Sequence, residues 1–249
     1  MTCLLVNLRR MNLRRRGLLA LALVLPLLTG CGGLLSGPPE RQLYRTDPSL
    51  AFPAGLPHVK AQLLVALPTA PAGIDTARVA LSRSPVSLDY FADAEWTDRA
   101  PFLIQSALVE GFEKSAALSG VATDSNDLRA DFVLETGIRD FTAVYDSPTG
   151  APLVTVRLSA RLVRMPARSI VAQTSVHREQ RAAANAMPDI VRAFDAALGG
   201  TVQDLVTWTL TNPGLATPGL SERRGSLKSR TRFVHALGGA AAGGSAARE

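Results

Sequence analysis

The residue of this 249-residue chain best placed for chemistry is Cys31. It closes the tetrapeptide Leu28-Thr29-Gly30-Cys31, after the run RRRGLLALALVLP that begins at Arg14. A basic cluster followed by an apolar core of about 7–15 residues and then small residues is the layout of an export signal. The core is short for a helix that must cross roughly 30 Å of hydrocarbon. The tetrapeptide looks like a bacterial lipobox, in which the cysteine thiol takes a diacylglyceryl group and the peptide is cut just before it. Small Thr29 and Gly30 suit the peptidase pocket. An ordinary secretory signal with an accidental cysteine, or a twin-arginine signal, is the weaker alternative, and Met11 opens a tidier signal than Met1. Gly32 follows the modified residue where an aspartate would resemble an inner-membrane retention signal, so the expectation is the periplasmic face of the outer membrane. Two or more acyl chains, palmitate among them, anchor stably where one does so only marginally. The other cysteine, Cys3, lies in the part removed, so no disulfide is expected and the fold must rest on its core.

Other reactive side chains are sparse. His58, His177 and His235 make no metal-spaced pair, and H-E-x-x-H, C-x-x-C, G-x-S-x-G and phosphate-cradling loops are missing. Asp89, Asp93, Glu95 and Asp98 cluster before a predicted helix. Two carboxyls held roughly 5–10 Å apart across a cleft would suit glycoside hydrolysis, yet a helix entry attracts acids through capping and the macrodipole alone. We therefore expect no enzyme activity, no metal and no cofactor other than the covalent lipid on Cys31. Tyr90, Phe91 and Trp96, in LDYFADAEWTDRAPF, are candidates for contact with a partner or a lipid, or else anchors of the core.

Charge narrows the partners. The chain has 27 basic and 21 acidic residues, but five of the arginines precede Cys31, so the part from Cys31 onward is near neutral. Six basic residues lie beyond Pro213, which leaves the body slightly acidic and argues against nucleic acid.

The elements that must position these residues follow from hydrophobic period. Residues 1–30 read as the lipoprotein signal peptide and 31–57, rich in Gly and Pro, as the lipidated N-terminus and flexible linker. Residues 58–212 read as one domain and 213–249 as a disordered basic tail. AQLLVALP from Ala61, ARVALSR and SPVSLDYF read as short strands. Ile104, Ala107, Leu108, Gly111 and Phe112 recur at helical spacing, with Thr97 or Asp98 as cap, Pro101 in the first turn and Gly120 as the stop. ADFVLETGIRDFTAVYD, LVTVRLSARLVR and SIVAQTSVHREQ follow as three strands with short connections, which favours an antiparallel meander. Pro188 opens a last helix with Phe194, Leu198, Val202 and Leu205 on one face, weakened at Gly199-Gly200 by about 1 kcal/mol per glycine. Two helices with single apolar stripes and one sheet predict an α+β fold: a two-layer sandwich, largely antiparallel, with two long helices packed on one face.

That order of short strands, LDYFADAEW, a helix, three strands and a terminal helix ending near Trp208 resembles the ABC-type transport auxiliary lipoprotein component family over roughly Tyr44 to Trp208. The resemblance implies a lipoprotein partner of mammalian-cell-entry (MCE) systems. Such a protein works with an MCE-domain substrate-binding protein and its ABC permease and ATPase to move phospholipid or other hydrophobic molecules across the periplasm. It would act by docking, and a homo-oligomeric ring matching a symmetric MCE assembly would be natural. A structural outer-membrane lipoprotein that assists envelope assembly without a transporter is the alternative.

Overall fold

The computed structural model describes residues 41–123 and 129–215. The expectations for the signal peptide, for Cys31, for His235 and for the tail beyond Leu215 lie outside the described residues.

The eight strands are β1 (Gln42–Tyr44), β2 (Val59–Val65), β3 (Arg78–Ser82), β4 (Asp89–Trp96), β5 (Leu118–Thr123), β6 (Phe132–Val144), β7 (Leu153–Arg164) and β8 (Ser169–Arg181). The helices are α1 (Ala100–Ser115), between β4 and β5, and α2 (Met187–Thr211), after β8. All eight strands form one sheet built around β6. One edge of β6 takes β7 antiparallel along its whole length, and β8 follows antiparallel outside β7. The other edge is shared: β2 pairs parallel with its first residues, Phe132–Leu134, and β3 pairs parallel with its last, Ala143 and Val144. Thr69 bridges to Gly137 between them.

The α+β class and the β6–β7–β8 meander agree with the sequence reading, but the largely antiparallel sandwich needs correction. The sheet is mixed and curls into a half-barrel, with parallel pairs β1–β4, β2–β5, β2–β6 and β3–β6. Of these, the β2–β5 pair joins strands separated by α1, whose length gives the chain the reach to bring β5 alongside β2 in the same direction.

Alternation along β6 explains its shape. Phe132, Leu134, Thr136 and Ile138 are buried at even positions, Phe141 and Ala143 at odd ones. The switch of phase is absorbed at Arg139, the extra residue between the pairs Ile138↔Leu158 and Asp140↔Arg157. A bulge there lets both halves of the strand send apolar side chains to the core. It also sets Asp140 against Arg157, at 3.1 Å. Among these inward side chains Thr136 is the misfit: its Oγ1 is buried and has no hydrogen-bond partner among the described residues. Replacing Thr136 with valine keeps the shape and removes an unpaired hydroxyl, so thermal melting should show a gain of about 1 kcal/mol.

Both helix entries lack a side-chain cap: Arg99 and Ala186 are the N-caps, and proline sits in each first turn. Asp98 accepts the Arg99 N–H at 2.7 Å instead of capping α1 from Thr97 or Asp98. The helix stops before Gly120, at Ala116, whose left-handed φ of 50° ends it one turn early and leaves Gly120 inside β5. The strand expected from Ser84 begins only at Asp89, because 84–88 is the turn between β3 and β4.

Residues 41–57 are not linker. β1 pairs with β4, Pro48 is buried, and Leu50, Phe52 and Leu56 pack on the core. Gly199 makes room for this segment, since a Cβ there would lie 3.1 Å from the Ser49 carbonyl oxygen, and Gly200 does the same for the Arg178 stem. The two glycines that weaken α2 in isolation thus permit close packing on both sides of it. At the far end Leu215 is buried and Arg164 donates to the Gly214 carbonyl at 2.8 Å, so the packed body extends past Asn212.

The N-terminal segment also brings two carboxylates together. The Asp47 N–H donates to Asp195 Oδ1 at 3.0 Å. Burial raises the pKa of Asp195, the Asp47 N–H opposes this, and the Asp47 charge adds to the rise. A carboxyl whose folded pKa lies above its unfolded value of about 3.9 favours the native state most at low pH and loses that contribution as pH rises through the folded pKa. Asp195→Asn keeps the acceptor and removes the charge. The variant should be more stable than the parent at pH 7, by no more than about 1 kcal/mol given partial exposure, and the gap should narrow as pH falls through the folded pKa and close only below the unfolded value of about 3.9.

Candidate docking surface

The aromatic segment singled out in the sequence is β4, and its geometry separates the three residues. Arg78 pairs with Glu95 and Ala80 with Tyr90, so residues 91–94 stand opposite Val79 alone. The strand must arch outward there. Tyr90 lies before the arch: its hydroxyl donates to the Gly73 carbonyl at 3.0 Å, and the Arg78 guanidinium sits 3.7 Å over its ring. Phe91 opens the arch with its ring 6.4 Å from that of Tyr145, half-buried against the core. Ala92 and Asp93 are exposed.

Trp96 lies after the arch and is 2% exposed. Its ring meets Phe194 edge-on at 5.1 Å and Phe141 at 5.6 Å. The expectation that Trp96 touches a partner or lipid is therefore corrected. The large amphipathic side chain that suggested a docking role is enclosed by β6 and α2, and only its role as an anchor remains.

Three of the acids of the same stretch have partners of their own. Glu95 pairs with Arg41, Asp89 with Arg83 at 3.7 Å, and Asp98 with the Arg99 amide. Arg99 itself is held by Asp75, which raises its pKa through the side-chain hydrogen bond. Three of the four carboxylates named in the sequence thus serve separate partners, which accounts for them without a reaction. Among the described residues no group of three His, Cys, Asp or Glu side chains could hold a metal ion. His177 lies on β8 opposite Arg157, on the exposed side of the strand.

Three sheet edges stay open among the described residues, one of them that of β5, which pairs only with β2. β8 pairs only with β7. β1 is three residues long and covers only Ala94–Trp96, which leaves the edge of Asp89–Asp93 free. Unpaired strand edges offer rows of backbone donors and acceptors to another chain. Between the segment before β2 and the end of α1, an open groove of about 400 Å³ is lined by Phe52, Pro53, Leu56, His58, Lys114 and Ser115. Sequence reasoning missed this groove because half of it is built from the segment read as linker. Phe52 and Leu56, spaced among prolines, were its only signal.

The model of the ABC-type transport auxiliary lipoprotein component family matches residues 42–206, from β1 into the last turns of α2. An uncharacterized protein of Bradyrhizobium diazoefficiens is 31% identical over 153 residues, 61% of this chain and 40% of that protein. The chain thus spans well under half the length of that relative. A crystal structure of a Xanthomonas campestris protein of the DUF330 family superposes with a TM-score of 0.65 at 27% identity, covering 69% of this chain and 95% of the other. A second, uncharacterized crystal structure at 15% identity and a TM-score of 0.52, covering 67% of this chain and 97% of the other, shares the fold.

Proposed function

Because the chain belongs to the ABC-type transport auxiliary lipoprotein component family, we propose that it serves an MCE-type ABC system that moves phospholipid or other hydrophobic molecules across the periplasm. In this reading it acts by docking and carries out no catalysis. Cys31 holds the lipid, Leu28, Thr29 and Gly30 direct its processing, and the outer membrane is the site of anchoring. The observation that carries the reading is the family match across 42–206, most of the packed body, from β1 into the last turns of α2. Among the described residues no helix is long and apolar enough to cross a membrane.

The docking face is the β4 arch. It combines an open backbone edge at Asp89–Asp93 with exposed Ala92 and Asp93, and Tyr90 and Phe91 anchor its entry on Gly73 and Tyr145. An extended segment of the MCE-domain protein can add to that edge.

Capture from mildly solubilised envelopes tests this. The lipidated protein should retain an MCE-domain protein with its permease and ATPase, and Cys31→Ala should lose them. Ala92→Arg, at an exposed position, should weaken capture with thermal melting unchanged. Recovery of outer-membrane assembly factors alone, or of nothing, would replace the transport reading with the structural one.

A further inference from the structure

The turn between β3 and β4 breaks the usual chemistry of turns. Its tip is Ser84-Pro85-Val86-Ser87, in which Val86 is 96% exposed and Pro85 is exposed beside it. Leu88 follows at 42% and Val144 at 37%. These side chains belong to adjacent strand ends, since Leu81 pairs with both Asp89 and Ala143, and Ser82 with Val144. Loop tips are normally polar, and an apolar tip costs solubility unless something covers it. The turn is well made: Ser82 Oγ donates to the Ser84 carbonyl at 2.6 Å, and Ser84 Oγ to Ser87 Oγ at 2.9 Å. The valine is thus presented by a braced loop.

Chain direction says what lies near it. β1 runs parallel to β4, with Gln42 opposite Ala94 and Tyr44 opposite Trp96. Followed backward from Gln42, the chain at Arg41 heads toward the Asp89 end of β4, the end that carries this turn. From Cys31 to Arg41 the chain can reach at most about 36 Å. The distance along β4 from the level of Arg41 to the turn is roughly 15 Å. A bilayer holding the lipid of Cys31 is therefore within reach of the tip. The flanking charges suit it as well: Asp89 is held by Arg83, whose side chain is 60% exposed, and Asp146 by Arg181 at 2.7 Å. Each carboxylate beside the turn is thus neutralised by an arginine, so neither stands as an unpaired anion against phosphate headgroups.

We propose that the Pro85–Leu88 tip, with Val144 beside it, is a second membrane contact that inserts into the bilayer carrying the Cys31 lipid and orients the domain on it. This rests on the reading of Cys31 as lipidated. Two or three apolar side chains bind a bilayer weakly and reversibly on their own. Tethering within a few tens of ångströms raises the local concentration of lipid to the millimolar range or above, where weak insertion becomes populated. The consequence for docking is that the β4 arch, which follows the tip directly along the chain, is held close to the headgroups from which a lipid would be taken or to which it would be given.

Quenching by brominated acyl chains tests it. Val86→Trp is compared with the parent, whose two tryptophans are Trp96 and Trp208, and with Ile170→Trp at the opposite end of the sheet. Each mature chain, 31–249, is placed on phosphatidylethanolamine–phosphatidylglycerol vesicles in two forms. One carries the lipid acquired in the cell, and the other is coupled through the Cys31 thiol to a maleimide-headgroup lipid. Val86→Trp should lose about half of its added emission at headgroup–acyl depth, while Ile170→Trp stays unquenched. Adding Leu88→Asp should restore the emission. If the cell-derived chain bears a free Cys31 thiol, the lipidation reading fails and the coupled form still decides. Equal emission from Val86→Trp with and without bromine in the coupled form would overturn the proposal, as would quenching replaced by self-association of the chains.

Discussion

Replacing Trp96 with alanine should lower the melting temperature by about 10–15 °C, corresponding to about 3–5 kcal/mol. The indole is 2% exposed and joins three elements: β4 through its own backbone, β6 through Phe141 and α2 through Phe194. Phe141 and Phe194 are themselves 4.8 Å apart, so the three rings form a closed cluster. Truncating one forfeits its buried area and leaves a cavity between a strand and a helix whose backbones cannot collapse into it. Edge-to-face geometry adds to the loss, at about 0.5–1.5 kcal/mol per aromatic pair. Trp96→Phe should recover a large part of the stability. The comparison also separates folding from function: any loss of partner capture in Trp96→Ala should vanish in Trp96→Phe, whereas Ala92→Arg should lose capture at full stability.

The second large effect is expected at Gly111, on the face of α1 that meets α2. A Cβ there would stand 2.7 Å from Val202 Cγ1 and 3.2 Å from Val206 Cγ2. Both valines are fully buried, and a valine on a helix has essentially one rotamer, so neither methyl can swing away. Overpacking costs about 1–3 kcal/mol, while alanine in place of glycine gains up to about 1 kcal/mol of helix propensity. Gly111→Ala should therefore lose about 1–2 kcal/mol net, and Gly111→Val considerably more. Denaturant unfolding of a double-mutant cycle with Val202→Ala checks the cause. The pair should lose less than the sum of the single variants, with a coupling of about 1 kcal/mol. Additive losses would place the strain elsewhere.

Much of this fold was legible in the sequence where a single period governs a segment. The stripe Ile104, Ala107, Leu108, Phe112 placed α1, and the alternation of Val154, Val156, Leu158, Ala160 and Leu162 placed β7 with its partners on either side. The phase change across Ile138-Arg139-Asp140 came only with the structure, which shows a bulge inside a segment read as one continuous strand.

The candidate site was less legible because it depends on contacts far apart in the chain. Tyr90, Phe91 and Trp96 have similar side chains within seven residues of one strand, yet one is braced by Gly73, one rests on Tyr145 and one is enclosed by Phe141 and Phe194. The arch that separates them arises from the register between β3 and β4, which no local period reveals. Residues 41–57 show the same limit. Gly and Pro content marks a stretch as irregular, and irregular chain can still be held in place by Phe52 and Leu56 on the core and by the space that Gly199 leaves on α2.

The sequence by itself determined the family and the identity and order of most elements, because those depend on residue types and spacing along the chain. Tertiary structure alone decided that β2, β3, β5 and β1 pair in parallel, that Trp96 is core and that Val86 is presented to solvent. The physical reason is that burial and strand pairing are set by which surfaces meet once α1 has returned the chain across the sheet.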